Sequence, residues 1–265
     1  MMTPHSKEQV LLRAEHVCLD YDGYHVLQDI NFSIRNIVRP GVEQGQVVSL
    51  LGRSGMGKTQ LFRLLAGLQK PTSGTIRIEN DKEVKAGDMG VVFQHYYLFE
   101  WKTIYQSLMM AALQNPALRG NEQDAIARWA GAFDITESLQ KYPQQLSGGQ
   151  RQRASIIQQL LKGSNYLLMD EPFSGLDVCV LDKVVDMLLQ VSVSNELKTL
   201  IIVSHDIETC VAISDTVYIL GKTAEGEGAT IKGEIDLIGR DLAWNTDIRR
   251  HPAFRDTLEE IKAGL

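Results

Sequence analysis

The chain has 265 residues, 44% of them hydrophobic, 23% charged and only 7 of them proline, which excludes disorder, collagen-like repeats and a disulfide-stapled mini-protein. Its 27 lysines and arginines against 33 aspartates and glutamates leave a net charge of −6, so there is no global basic field to hold nucleic acid or an anionic membrane. The three cysteines, Cys18, Cys179 and Cys210, show no CxxC spacing and read as free thiols rather than a disulfide framework or a zinc site.

The amino terminus, Met1 to Val10 with Pro4, Lys7 and Glu8, lacks the layout of a signal peptide. The longest uninterrupted apolar run, Leu108 to Leu113, falls far short of the roughly 18 residues that span a bilayer, so the chain is expected to stay in the cytosol. Strand-like pieces at Ala14 to Leu19 and Ile30 to Ile34 flank Asp22-Gly23, a hairpin-turn dipeptide, and predict an antiparallel β region over about residues 8–45. Val47 to Leu51 reads as a buried strand. After a glycine loop, Leu61, Leu64, Leu65 and Leu68 recur at i, i+3, i+4 and i+7, one face of a helix.

From about Gln94 to Ser164 the pattern is mainly helical, with helices predicted at Ile104 to Leu113, Glu122 to Phe133 and Gln150 to Leu161. Strands resume at Tyr166 to Met169 and Leu200 to Val203. A glycine-rich stretch (Gly221, Gly226, Gly228, Gly233) then leads to a last amphipathic helix carrying Phe254, Leu258, Ile261 and Leu265 on one face, with Pro252 before it. The whole reads as one α/β domain over residues 1–222 with a helical insert at about 95–164, followed by an extension over 223–265.

Gly52-Arg53-Ser54-Gly55-Met56-Gly57-Lys58-Thr59 fits G-x-x-x-x-G-K-[ST] between a strand and a helix. Successive backbone N–H groups in such a loop curl around phosphates at the positive end of the helix. Lys58 is placed to neutralise the β- and γ-phosphates, and the Thr59 hydroxyl to ligate Mg²⁺. The run Tyr166-Leu167-Leu168-Met169-Asp170-Glu171 is an apolar strand ending in two acids. Asp170 suits Mg²⁺ held through its water shell, and Glu171 suits the general base for water attacking the γ-phosphate.

Phosphate loops serve many nucleotide enzymes, but the guanine-reading N-K-x-D tetrapeptide is absent. Leu146-Ser147-Gly148-Gly149-Gln150, followed by Arg151-Gln152-Arg153 and a helix with Ala154, Ile157, Leu160 and Leu161 on one face, makes a second anion-binding helix start.

With these motifs in this order, residues 10–222 resemble the ATP-binding subunits of ABC transporters. The resemblance implies a P-loop NTPase of ABC type, with a mixed β core, an antiparallel β subdomain and a helical subdomain. It makes Gln94 the Q-loop glutamine, with a share in holding Mg²⁺, Ser147, Gly148, Gly149 and Gln150 the signature motif, and Asp170 with Glu171 the Walker B pair. Ser174-Gly175-Leu176-Asp177 matches the D-loop, His205 the switch histidine, and Tyr21 the aromatic that stacks on adenine, with Tyr24 competing for that role. The implied ligands are ATP and Mg²⁺, and the implied working form is a head-to-tail dimer in which each signature motif closes on the other subunit's γ-phosphate. Lys58, Gly148, Gly149 and His205 then surround the transferring phosphoryl group while Glu171 aligns water.

The stretch His95-Tyr96-Tyr97-Leu98-Phe99-Glu100-Trp101 lies where the family docks its permease, and it is equally readable as core of the helical insert. The permease is then a separate polypeptide, and the chain works peripherally at the cytoplasmic face of the inner membrane. Glu100-Trp101-Lys102-Thr103-Ile104 and the stretch from Ile235 to Trp244 resemble the nitrate/sulfonate/taurine-type importers, which also use a separate substrate-binding protein. The alternatives are a soluble ABC ATPase outside transport and an ATP-gated binding module. Two departures from the family pattern stand out: a long segment at Asn36 to Gln44, and Gln60 after Thr59, where a second hydroxyl residue is common.

Overall fold

The computed structural model describes residues 5–38, 45–79, 81–174, 199–224, 227–243 and 247–265. Arg39-Pro40-Gly41, Gly175 to Asp177, Cys179, Gly226 and Trp244 lie outside them. Strands β1 (Ser6–Tyr21) and β2 (Tyr24–Val38) form a long antiparallel hairpin, much longer than the two predicted pieces. Tyr21 faces Tyr24 across a turn in which Asp22 and Gly23 both have positive φ, 47° and 80°, the backbone that suits the twist of a two-residue hairpin loop.

Strand β3 (Gln46–Gly52) leads through the glycine loop into helix α1 (Lys58–Leu65). Leu61, Leu64 and Leu65 are buried as their spacing requires, but Leu68 is half exposed because the helix ends before it. Gly67 ends the turn at φ 66°, and a β-carbon there would lie 2.4 Å from the backbone carbonyl carbon of Lys85. Strands β4 (Ser73–Ile78) and β5 (Lys82–Glu83) extend the antiparallel part, and the short β6 (Gly90–Val92) begins the other flank.

The three predicted helices of the insert are present as α2 (Ile104–Ala112), α3 (Glu122–Ala132) and α4 (Gly148–Leu161). They are followed by β7 (Tyr166–Asp170), β8 (Thr199–Ser204), α5 (Ile207–Ile213), β9 (Thr216–Lys222), β10 (Ala229–Asp236) and α6 (Pro252–Gly264).

All ten of these strands join one sheet in the order β5-β4-β1-β2-β10-β9-β3-β8-β7-β6. The five strands from β9 to β6 run parallel. Strand β10 pairs with both β9 and β2, so the sheet continues past residue 222, where the extension was expected to begin. Core residues alternate between the two faces. Leu167 and Met169 pack with the insert helices and α6, whereas Tyr166 and Leu168 pack with α1 and the β1–β2 hairpin, as a parallel sheet covered on both sides requires. Among the described residues no helix is long and apolar enough to cross a membrane.

Gly67 separates two effects. Gly120 also has a positive φ, 84°, but an added β-carbon there meets nothing within 4 Å. Gly120→Ala is therefore expected to cost about 1 kcal/mol and Gly67→Ala about 3 kcal/mol, since only the latter also displaces backbone. Urea unfolding midpoints of the two variants check the difference.

Candidate nucleotide site

Strands β3, β8, β7 and β6 are parallel neighbours, so their carboxyl ends share one edge of the sheet, where open α/β sheets place ligands. Each contributes a motif there: the glycine loop after Gly52, His205 after Ser204, Asp170 with Glu171 at the end of β7, and Gln94 two residues beyond Val92. Gly55 and Gly57 bend the loop with φ of 83° and 78°, a conformation that side chains with a β-carbon resist. The backbone N–H of Leu61 donates to Gly57 O at 2.9 Å as α1 begins.

The Lys58 ammonium is buried. It donates to Gly52 O at 2.9 Å and Arg53 O at 3.3 Å and pairs with Glu171 Oε1 at 3.2 Å, which uses all three of its donors. The other oxygen of Glu171 accepts from Ser204 Oγ at 3.1 Å and from the backbone N–H of His205 at 3.3 Å, and lies 2.7 Å from His205 Nδ1. Glu171 has a φ of 48°, and its N–H donates to Val203 O at 2.8 Å. A left-handed glutamate is strained, and the neighbouring β8 holds it so.

Asp170 is buried beside this network. Burial raises its carboxyl pKa above the ordinary value, while a hydrogen bond from the Thr59 hydroxyl works in the opposite direction. Its Oδ1 is buried with no partner. A desolvated carboxylate with one unmatched oxygen beside a hydroxyl is a donor set that fits a hard cation such as Mg²⁺. Among the described residues no cluster of three acid, histidine or cysteine side chains could hold a metal ion.

Tyr21 is beside the loop: its hydroxyl donates to Gln60 Oε1 at 3.1 Å and accepts from Gln69 Nε2 at 2.6 Å. Gln60, the departure from the family's second hydroxyl, thus reaches toward the aromatic ring. Tyr24 is more exposed and lies under Lys222 Nζ, 5.8 Å from the ring centre. Gln94 is exposed at the rim.

The signature residues belong to a different element, the first turn of α4. Ser147 and Gln150 form a capping box, each side chain bonded to the other's backbone N–H, at 3.0 and 3.3 Å. Ser147 and Gly148 are exposed, and a β-carbon on Gly148 would meet nothing within 4 Å, so the backbone here is open to a ligand from outside. Asp177 lies outside the described residues.

Sequence reasoning missed Ser204, whose hydroxyl helps hold Glu171, and Gln69, which holds Tyr21. Neither belongs to a motif. The adjacency of Ser204 to His205 was its one available signal. The aromatic stretch splits: Leu98 is buried and Tyr96 partly so, whereas Tyr97 and Trp101 are 71% and 72% exposed, so it is part core and part surface.

A family model described as "ABC transporter" matches residues 36–174. The nitrate import ATP-binding protein NrtD of Synechocystis sp. is 34% identical over 230 residues, which cover 84% of this chain and 85% of that protein. The sulfate/thiosulfate import ATP-binding protein CysA 2 of Rhizobium meliloti is 34% identical over 80% of this chain, a match that spans 58% of that protein. The structure of cbiO1 from Clostridium perfringens, part of the ABC transporter complex cbiONQ, superposes with a TM-score of 0.72 at 26% identity, covering 95% of this chain and 100% of that one. The glycine loop, the strand-end acid pair and the capped signature helix therefore belong to an ATPase, and the chain is a member of the ABC transporter ATP-binding family.

Proposed function

We propose that this chain is the ATP-hydrolysing subunit of a bacterial importer of a small solute, working as a head-to-tail homodimer on the cytoplasmic face of the inner membrane. Its partners in this reading are a separate transmembrane permease and a substrate-binding protein. The import names of the nitrate and sulfate/thiosulfate relatives support the transport class. The observation that carries the chemistry is the Glu171 carboxylate, held on one oxygen by Lys58 and on the other by Ser204 and His205.

Lys58 cannot serve Glu171 and a phosphate fully at once, because its three donors are already used. Phosphates in the loop compete for its ammonium, and Glu171 Oε1 then becomes free to accept a proton from water. His205 and Ser204 keep Oε2 aimed while this happens, so the base needs no reorientation. Thr59, Asp170 and Gln94 would hold Mg²⁺, which when bound neutralises the charge on the β- and γ-phosphates. Tyr21 stacks on the adenine, positioned through Gln60 and Gln69. Ser147, Gly148, Gly149 and Gln150 offer their open helix start to the partner's γ-phosphate.

The exposed rings of Tyr97 and Trp101 form the permease-docking patch. Phe93, one residue before Gln94, packs against Tyr97 with ring centres 5.2 Å apart, and Phe99 packs against Trp101 at 5.5 Å, so the Tyr97 side of the patch touches the segment that carries Gln94.

Glu171→Gln is expected to lower phosphate release by about 10²–10⁴-fold while leaving ATP bound, and to shift the protein to a dimer on size exclusion with ATP and Mg²⁺. Normal turnover by that variant refutes Glu171 as the base. Double replacement of Tyr97 and Trp101 by alanine is expected to lower the permease recovered from native membranes in mild detergent by about tenfold or more, read by quantitative immunoblot.

Asp170→Asn tests the metal side through stability. A raised folded-state pKa means that Asp170 adds stability below its ordinary value and loses it as pH rises through the raised one. Without nucleotide, the asparagine variant should match the wild type near about pH 4 and become the more stable protein toward about pH 8. Its Mg²⁺-dependent turnover should lie below that of the wild type, by a margin that widens toward about pH 8 as the wild-type carboxyl ionises, and urea midpoints with a phosphate-release assay read both.

A further inference from the structure

Helix α4 carries the signature motif on its exposed first turn and, one turn further on, the side chain of Gln152, which is completely buried. Gln152 Nε2 donates to the backbone carbonyl of Pro172 at 2.6 Å, the residue directly after the left-handed Glu171. Gln152 Oε1 is buried with no partner. An apolar side chain of similar length would fill the same space without stranding an acceptor, so packing does not account for the amide. What the amide does is fasten the signature helix to the segment that presents the carboxylate.

The connection is stiff at both ends. The capping box of Ser147 and Gln150 fixes the start of α4. At i+7 on the same face as Gln152, Gln159 Oε1 accepts from the backbone N–H of Val91 at 3.4 Å, in the strand that leads to Gln94. On the far side of Pro172, the N–H of Ser174 donates to Glu171 O at 3.2 Å, closing a tight turn. A displacement of α4 therefore reaches Glu171 through one hydrogen bond and one peptide unit.

We propose that Gln152 is a positioning residue that couples the two nucleotide sites of the dimer: closure of one subunit's signature helix on its partner's ATP sets, through Pro172, the aim of that subunit's own Glu171. The proposal rests on the reading of Glu171 as the base and of the signature motif as acting on the partner's nucleotide. Each site then becomes competent only when the other is occupied, and ATP hydrolysis is cooperative in ATP.

The test uses the full chain with ATP and Mg²⁺, comparing the wild type with Gln152→Met, Gln152→Glu and Glu171→Gln. Gln152→Met keeps the volume and removes the donor. It should lower kcat by about ten- to hundredfold, the scale expected of small misplacements, leave the Kd for ATP within about twofold, and bring the Hill coefficient for ATP toward 1. Gln152→Glu sets a carboxylate against the Pro172 carbonyl, and only its protonated form can donate an O–H there. Its turnover should therefore recover as pH falls from about 8 to about 6, with no such rise in the wild type.

A Gln152→Met variant with wild-type kcat and Hill coefficient overturns the proposal, as does a parallel loss of kcat and ATP affinity, which marks a merely structural role. If Gln152→Met fails to fold, the pH recovery of Gln152→Glu decides, and its absence overturns the proposal. Glu171→Gln separates the two layers. Residual normal turnover in that variant defeats the underlying reading, whereas its inactivity together with a normal Gln152→Met defeats the coupling alone.

Discussion

A lysine and a glutamate buried side by side at the edge of a sheet are tolerable only because every strong donor and acceptor on them is matched. Lys58 and Glu171 are in that position, with the ammonium shared between two backbone carbonyls and a carboxylate, and the carboxylate shared between the lysine, a serine and a histidine. Removing either charge from such a pair leaves the other uncompensated in a poorly solvated place, typically at a cost of about 3–5 kcal/mol. The arrangement of the sheet follows from this demand. Strands β3, β8 and β7 must lie adjacent and parallel, in the order observed, for their carboxyl ends to bring these groups within 3.3 Å of one another.

In the proposed mechanism the same network ties the cation to the base. With Lys58 engaged by Glu171, the phosphate-binding cation and the proposed base neutralise each other, and neither is free for chemistry. A polyanion in the loop offers Lys58 stronger partners than one carboxylate does. Binding and activation are then one exchange of partners rather than two events. Asp170 sits at the opposite extreme: its burial and its unmatched oxygen make its ionised form costly, a cost that a bound cation would relieve.

Local patterning made much of this readable. The glycine loop could be located because strand, loop and helix differ in hydrophobic period, and the acids because an apolar run ends abruptly in Asp170 and Glu171. The insert helices were legible for the same reason. Leu68 was misread because the helix closes just before it, where left-handed Gly67 and Leu68 donate their N–H groups back to Leu64 O and Arg63 O and turn the chain off the apolar face. Strand β10 was missed because Gly228 and Gly233 disguise it as a loop, and its place between β2 and β9 is decided by pairing with distant strands. Ser204, Gln69 and Gln152 escaped for a related reason. A polar side chain's partner is chosen by the folded packing, here 33, 48 and 20 residues away in sequence, and no local spacing encodes that choice.

Division of labour among the elements follows from where the rigid parts lie. The glycine loop, the acid pair and His205 hang from strands of one sheet, whose shared hydrogen bonds let them move only together. The signature turn hangs from α4, which packs on that sheet in the same apolar core as the other insert helices and is bonded to β6 through Gln159 and to the segment after β7 through Gln152. The apolar core shared by these two bodies holds them together without prescribing direction, and the few directed hydrogen bonds fix how one is aligned on the other. In the proposed dimer the first body binds one nucleotide and the second reaches for the other, so the bonds between them are the route by which one subunit can register what its partner holds. The exposed aromatic patch at Tyr97 and Trp101 is reached from Phe93, one residue past the end of β6. In the proposed assembly a permease helix resting there would sit one ring contact away from the segment that carries Gln94.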